Sequence, residues 1–64
     1  MRIRLKELRE LRFLTQRELA AKAHVGVSTI VRIEKRRQIP TFQTIKRLAA
    51  ALEADPSELA VRDD

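Results

Sequence analysis

Residues 15–34 read TQRELAAKAHVGVSTIVRIE. Two helix-forming runs in this stretch flank Ala23-His24-Val25-Gly26-Val27-Ser28, which holds the only glycine of the 64-residue chain. On the N-terminal side, Thr15 followed by Glu18 has the spacing of a capping box. The hydroxyl accepts the N–H of the third helical residue, and the carboxylate accepts the N–H of the cap. A helix is therefore expected over 16–23, with Leu19, Ala20 and Ala23 facing inward. After Gly26, Ile30 and Ile33 recur three residues apart. That spacing predicts a helix over 27–35 that buries both and leaves Val27, Ser28, Val31 and Arg32 on other faces. Helices of about eight residues do not survive alone in water, so the two must be held by packing at a steep angle. Ala20 is small enough to allow a close approach.

Outward from this stretch the signals stay helical. Upstream, Leu5, Leu8 and Leu11 recur at i, i+3, i+6 among Arg4, Lys6, Glu7, Arg9 and Glu10, which predicts a one-sided helix over 2–12. Downstream, Lys35-Arg36-Arg37-Gln38-Ile39-Pro40 reads as a basic loop closed by a proline that cannot continue a helix. Thr41 can cap a helix over 42–53, with Phe42, Ile45, Leu48, Ala49 and Leu52 along an apolar stripe. Asp55-Pro56-Ser57-Glu58 combines an N-cap, a proline at the first helical position and an acidic third position. A short helix over 56–61 follows, and residues 62–64 are expected to fray. Nothing alternates with period two for long enough to predict a strand. The expected fold is all-α: a compact five-helix bundle forming one domain over 1–64, without repeat or linker.

Composition narrows the chemistry. The absence of cysteine excludes disulfides and thiolate metal sites, and one histidine cannot build a metal centre alone, so no metal or cofactor is expected. No apolar run approaches the roughly 20 residues of a membrane span. Met1-Arg2-Ile3-Arg4 does not lead into a signal-peptide core, so a soluble intracellular protein is expected. The net charge of +5 is unevenly placed: residues 1–37 hold eleven Lys/Arg against four Glu, and residues 38–64 hold three against five acids. A basic half on so small a domain is what a phosphate-binding surface requires, although a solvated Arg-rich surface would have the same composition. Ser, His and Asp are all present, but His24 sits in a helix-ending turn with no carboxylate nearby in sequence. So small a helical domain offers no deep pocket, and an enzyme is not expected.

Two short helices crossing through a tight turn form a helix-turn-helix unit. Residues 15–34 resemble that unit in the phage repressor and Cro proteins, the lambda-repressor-like or XRE-type family. The family pattern is T-Q-x-E-L-A-x-x-A-G-V-S-x-x-T-I-x-x-I/W-E. Leu5, Leu8 and Arg9 upstream, and Pro40, Thr44, Leu48, Ala49, Ala51, Leu52 and Leu59 downstream, match as well, so the resemblance covers nearly the whole chain. It implies a five-helix DNA-binding domain acting as a transcriptional regulator, expected to be a repressor. Val27, Ser28, Val31 and Arg32 would face base edges in the major groove of double-stranded DNA. Arg32 can fork onto guanine O6 and N7, Ser28 can bond several base edges or a phosphate, and Val27 can pack on a thymine methyl. Thr15, Gln16, Thr29, Lys35, Arg36 and Arg37 would contact phosphates. Arg9 and Glu34 stand where the family often joins its first and third helices by an ion pair. One such module reads few base pairs, so a homodimer on two half-sites is expected, with Leu59, Ala60 and Val61 offering a small apolar patch. The setting would be cytoplasmic, in a prokaryote or phage, associated with the nucleoid. No small-molecule ligand is evident. The alternative is an antitoxin that binds a toxin partner and regulates its own operon; the lack of an extended tail counts against it.

The chain departs from the family at its glycines. Phe13, His24, Arg36 and Glu53 fill positions where the family usually has glycine, and Gly26 stands where the family favours a Ser or Thr cap. His24 ends a helix and is expected in the left-handed region, which histidine tolerates better than most side chains.

Overall fold

Four of the five helices among the described residues start from a residue with extended backbone and, where the sequence supplies one, a capping side chain. In the computed structural model, which describes residues 1–62, the order is β1 (Arg2–Ile3), α1 (Leu5–Leu11), α2 (Gln16–Ala23), α3 (Val27–Glu34), α4 (Phe42–Ala51), α5 (Pro56–Leu59) and β2 (Ala60–Val61). The Thr15 hydroxyl accepts the Glu18 N–H at 3.0 Å while Glu18 Oε1 accepts the Thr15 N–H at 2.8 Å, completing the capping box of α2. Thr41 accepts the Thr44 N–H at 3.2 Å at the start of α4, and Asp55 accepts the Ser57 N–H at 2.9 Å at the start of α5. Gly26 caps α3 by backbone shape alone, at φ −63° and ψ 142°.

The ends of α1, α2, α3 and α4 share one device. Phe13, His24, Arg36 and Glu53 all lie in the left-handed region, with φ of 56°, 56°, 58° and 54°. The residue after each returns its N–H to a carbonyl five residues back: Leu14 to Arg9, Val25 to Ala20, Arg37 to Arg32 and Ala54 to Ala49, at 2.9–3.2 Å. This is the Schellman closure, which satisfies carbonyls that the last helical turn leaves open. It also turns the chain back, so that Leu14, Val25 and Ala54 pack against the core. The four places where the family favours glycine are thus the four left-handed positions, each carrying a side chain.

The core is formed by Leu5, Leu8, Leu19, Ala20, Ala23, Ile30, Ile33, Ile45, Leu48, Ala49, Leu52 and Leu59. α2 packs on α3 and α4, α1 on α3, and α5 on α4.

Several expectations are corrected. The first helix begins at Leu5 rather than residue 2, because Arg2 and Ile3 pair antiparallel with Val61 and Ala60. The Arg4 N–H extends that link to the Leu59 carbonyl at 2.8 Å. For the same reason the last helix stops at Leu59 rather than 61. α4 ends at Ala51 rather than 53, since the left-handed Glu53 closes it, and α3 ends at Glu34 with Lys35 as its cap. Leu11 is 67% exposed: two steps of three residues rotate it about 120° around the helix from Leu5. Phe42 is 72% exposed, because a side chain in the first turn of a helix tilts back beyond its end. Leu59, assigned to a dimer patch, is fully buried, and Ala60 and Val61 are half-buried in the strand pair. The fraying expected over 62–64 falls, for residues 63 and 64, outside the described residues.

Candidate nucleic-acid interface

α3 divides cleanly into two sides. Ile30 and Ile33 are buried and fix the helix against the core, while Ser28 and Arg32 are exposed and Val27 is 40% exposed. Neighbours four apart on a helix stack one above the other, so Ser28 and Arg32 form a polar column beside an apolar column of Val27 and Val31. Val31 is half-buried, not the exposed residue expected; only its outer edge adds to this surface. Thr29 is half-buried as well. A flat column of valines beside a serine and an arginine suits a base-pair edge chemically: methyl contact on one side, hydrogen bonds on the other.

Cations continue the surface beyond α3. Lys35, Arg36 and Arg37 are exposed, and the left-handed Arg36 turns the chain where they sit. At the other end of the unit lies the start of α2. Its capping box uses the N–H groups of Thr15 and Glu18, leaving those of Gln16 and Arg17 among the orphan donors of the first turn. A helix start with open donors attracts an anion such as a phosphate. The same box holds the Glu18 carboxylate below its ordinary pKa, chiefly through the Thr15 backbone N–H and then its hydroxyl.

A half-buried polar hub joins α1, α2 and α3 behind this surface. Arg9 Nε donates to Glu34 Oε2 at 2.7 Å and Arg9 Nη2 donates to Glu34 Oε1 at 3.1 Å. Arg9 Nη1 donates to the Leu14 carbonyl at 2.8 Å. The side chains of Arg9 and Glu34 are only 11% and 5% exposed. The hydrogen bond to Glu34, opposed by burial and reinforced by the charges of Glu34 and Glu10, raises the pKa of the Arg9 guanidinium. Gln16 Nε2 also donates to Glu34 Oε1, at 3.0 Å, so the side chain assigned to a phosphate is already held on its inner side.

Two contacts escaped sequence reasoning. The Gln16–Glu34 bond spans eighteen residues and leaves no local pattern. Arg12 is the other: its Nε and Nη2 donate to the carbonyls of Leu52 and Glu53 at 2.9 and 3.2 Å, capping the end of α4 with a positive charge. Arg12 is one of several arginines scattered along residues 2–17 and carries nothing in its neighbourhood to single it out.

No helix among the described residues is long and apolar enough to cross a membrane. A search of curated protein sequences finds no match. A helix-turn-helix family model matches residues 5–59, from the first residue of α1 to the last of α5. Its members are DNA-binding regulatory domains rather than enzymes. The paired short helices, the basic surface around them and a match spanning most of the chain agree: the protein belongs to the XRE-type, lambda-repressor-like family of helix-turn-helix DNA-binding transcription regulators.

Proposed function

We propose that the protein recognises a specific duplex sequence by laying α3 in the major groove, and that it represses transcription by occupying promoter DNA as a homodimer. The observation that carries this reading is the exposed column of Ser28 and Arg32 beside Val27, backed by buried Ile30 and Ile33. Open donors at the start of α2 and the Lys35–Arg37 run flank it and suit the two phosphate backbones that bound a groove. Val31 and Thr29 contribute from the margin, Thr29 beside the helix start and Val31 through its outer methyl. Thr15 contributes a phosphate contact through the same helix start that it caps. One recognition helix reads only a few base pairs, so useful specificity comes from two copies on half-sites about one helical turn apart. The setting this implies is the nucleoid in a prokaryotic or phage-infected cytoplasm.

Selection from random duplex DNA at two salt concentrations tests the reading. The expected outcome is an enriched motif with dyad symmetry and an affinity that falls steeply as salt rises. Selection that enriches nothing, or binding indifferent to salt, would overturn it.

A further inference from the structure

We infer that Glu34 is a positioning residue for DNA binding, holding the Gln16 side-chain amide so that its second N–H faces a phosphate; this rests on the proposed DNA reading. An ionised carboxylate can only accept. Gln16 must therefore turn Nε2, not Oε1, toward Glu34, and one of its two N–H groups is spent there at 3.0 Å. The other N–H carries no hydrogen bond to a described residue, and Gln16 is the first residue of α2, where the backbone N–H groups of Gln16 and Arg17 are open as well.

Glu34 is itself fixed by Arg9 through two bonds, and Arg9 by the Leu14 carbonyl, so the amide is anchored through three helices to the core. Without Glu34 the amide turns over and offers its carbonyl oxygen to the phosphate, an acceptor facing an acceptor. Glu34 has a side chain only 5% exposed, so it acts through Gln16 and not by touching DNA. The bidentate Arg9 offsets its negative charge near the backbone.

The test is a double-mutant cycle on affinity for the selected duplex, with Gln16→Met and Glu34→Gln. Gln16→Met should weaken binding about tenfold, the range of one hydrogen bond to a charged group. A glutamine at 34 has one acceptor oxygen where Glu34 uses two, and its NH2 opposes the N–H groups of Arg9 or Gln16, so Glu34→Gln should weaken binding several-fold, and the double variant no more than Gln16→Met alone. Replacing the phosphate that faces α2 by a methylphosphonate should weaken the wild type more than either variant, in which only the backbone donors of α2 remain to meet it. If the two losses multiply, or Glu34→Gln lowers the melting temperature while keeping the wild-type phosphate sensitivity, Glu34 is only structural and the inference is overturned. Should Glu34→Gln not fold, NMR of the free wild type decides. One Gln16 side-chain amide proton shifted away from the free-glutamine position and protected from exchange with water supports the inference, and two protons at free-glutamine positions exchanging like exposed amides overturn it. A wild type that binds no duplex removes the DNA reading and this inference together, whereas binding with multiplied losses removes this inference alone.

Discussion

His24 and Gly26 exchange the roles their residue types suggest. The histidine takes φ 56° and ψ 45°, where a Cβ is strained, while the glycine takes φ −63°, open to any residue. His24→Gly is expected to stabilise the fold by about 0.5–1 kcal/mol, the strain relieved outweighing the added freedom of the unfolded chain. A Cβ at Gly26 would meet only Thr29 Oγ1 at 3.8 Å and Ser28 Oγ at 4.0 Å, both ordinary contacts. Gly26→Ser is therefore expected to fit and to add a few tenths of a kcal/mol through the cap it restores. Urea unfolding at constant m-value checks both, and a His24→Gly variant with an unchanged or lower midpoint would refute the strain argument.

At the scale of the helix, the capping carboxylates set the acid limit of stability. Glu18 is held below its ordinary pKa by the Thr15 N–H and hydroxyl, and Asp55 by the Ser57 N–H and hydroxyl. A carboxyl whose folded pKa is depressed stabilises the fold above its unfolded value and loses that contribution as pH falls through the folded one. Stability is therefore expected to decline below about pH 4.5, the ordinary glutamate value, and to decline less in Glu18→Gln/Asp55→Asn. Parallel pH curves for that variant and the wild type would show that the caps are not responsible. α3 makes a second prediction. Arg32→Ala should relax preference at one base position at a cost of about 1–3 kcal/mol, while Arg36→Ala should weaken all sequences alike. Competition binding against single-base variants separates the two, and a uniform loss in both would make Arg32 a phosphate contact.

At the scale of the whole molecule, the strand pair ties the segment before α1 to the segment after α5. Leu59 is fully buried, and the next two residues pair with Arg2 and Ile3, so one side chain anchors both termini and the last helix. Leu59→Ala is expected to cost about 2–5 kcal/mol, a large part of what a domain this small possesses. Phe42→Ala removes a 72% exposed ring whose centroid lies 5.6 Å from the Lys46 ammonium, and should change stability by less than about 0.5 kcal/mol despite the larger side chain lost. Thermal unfolding followed by circular dichroism distinguishes them; similar losses in both would mean that Leu59 is not the anchor.

What the sequence determined by itself was what local hydrogen bonds and helical periodicity control. Thr15 with Glu18, Thr41, and Asp55-Pro56 mark helix starts, since a cap and its donors lie within three residues. The glycine positions of the family pattern mark all four left-handed closures, since each is a property of one residue's backbone. Ile30 and Ile33 likewise assign the inner side of α3, and so leave Val27, Ser28 and Arg32 outward. Only the tertiary structure decided which residues far apart in sequence meet. The β1–β2 pair needs Arg2 beside Val61, and two residues are too few to show alternation. Leu11 and Phe42 belong to apolar stripes on paper and lie in solvent, because the core ends before it reaches them. Arg9 and Glu34 could be paired only through the family pattern, and Gln16 with Glu34, or Arg12 with the end of α4, through nothing written locally. A long polar side chain finds its partner only after packing has brought the helices together. The surface that would read DNA is thus legible in the chain, while the hub that holds it is a product of the fold.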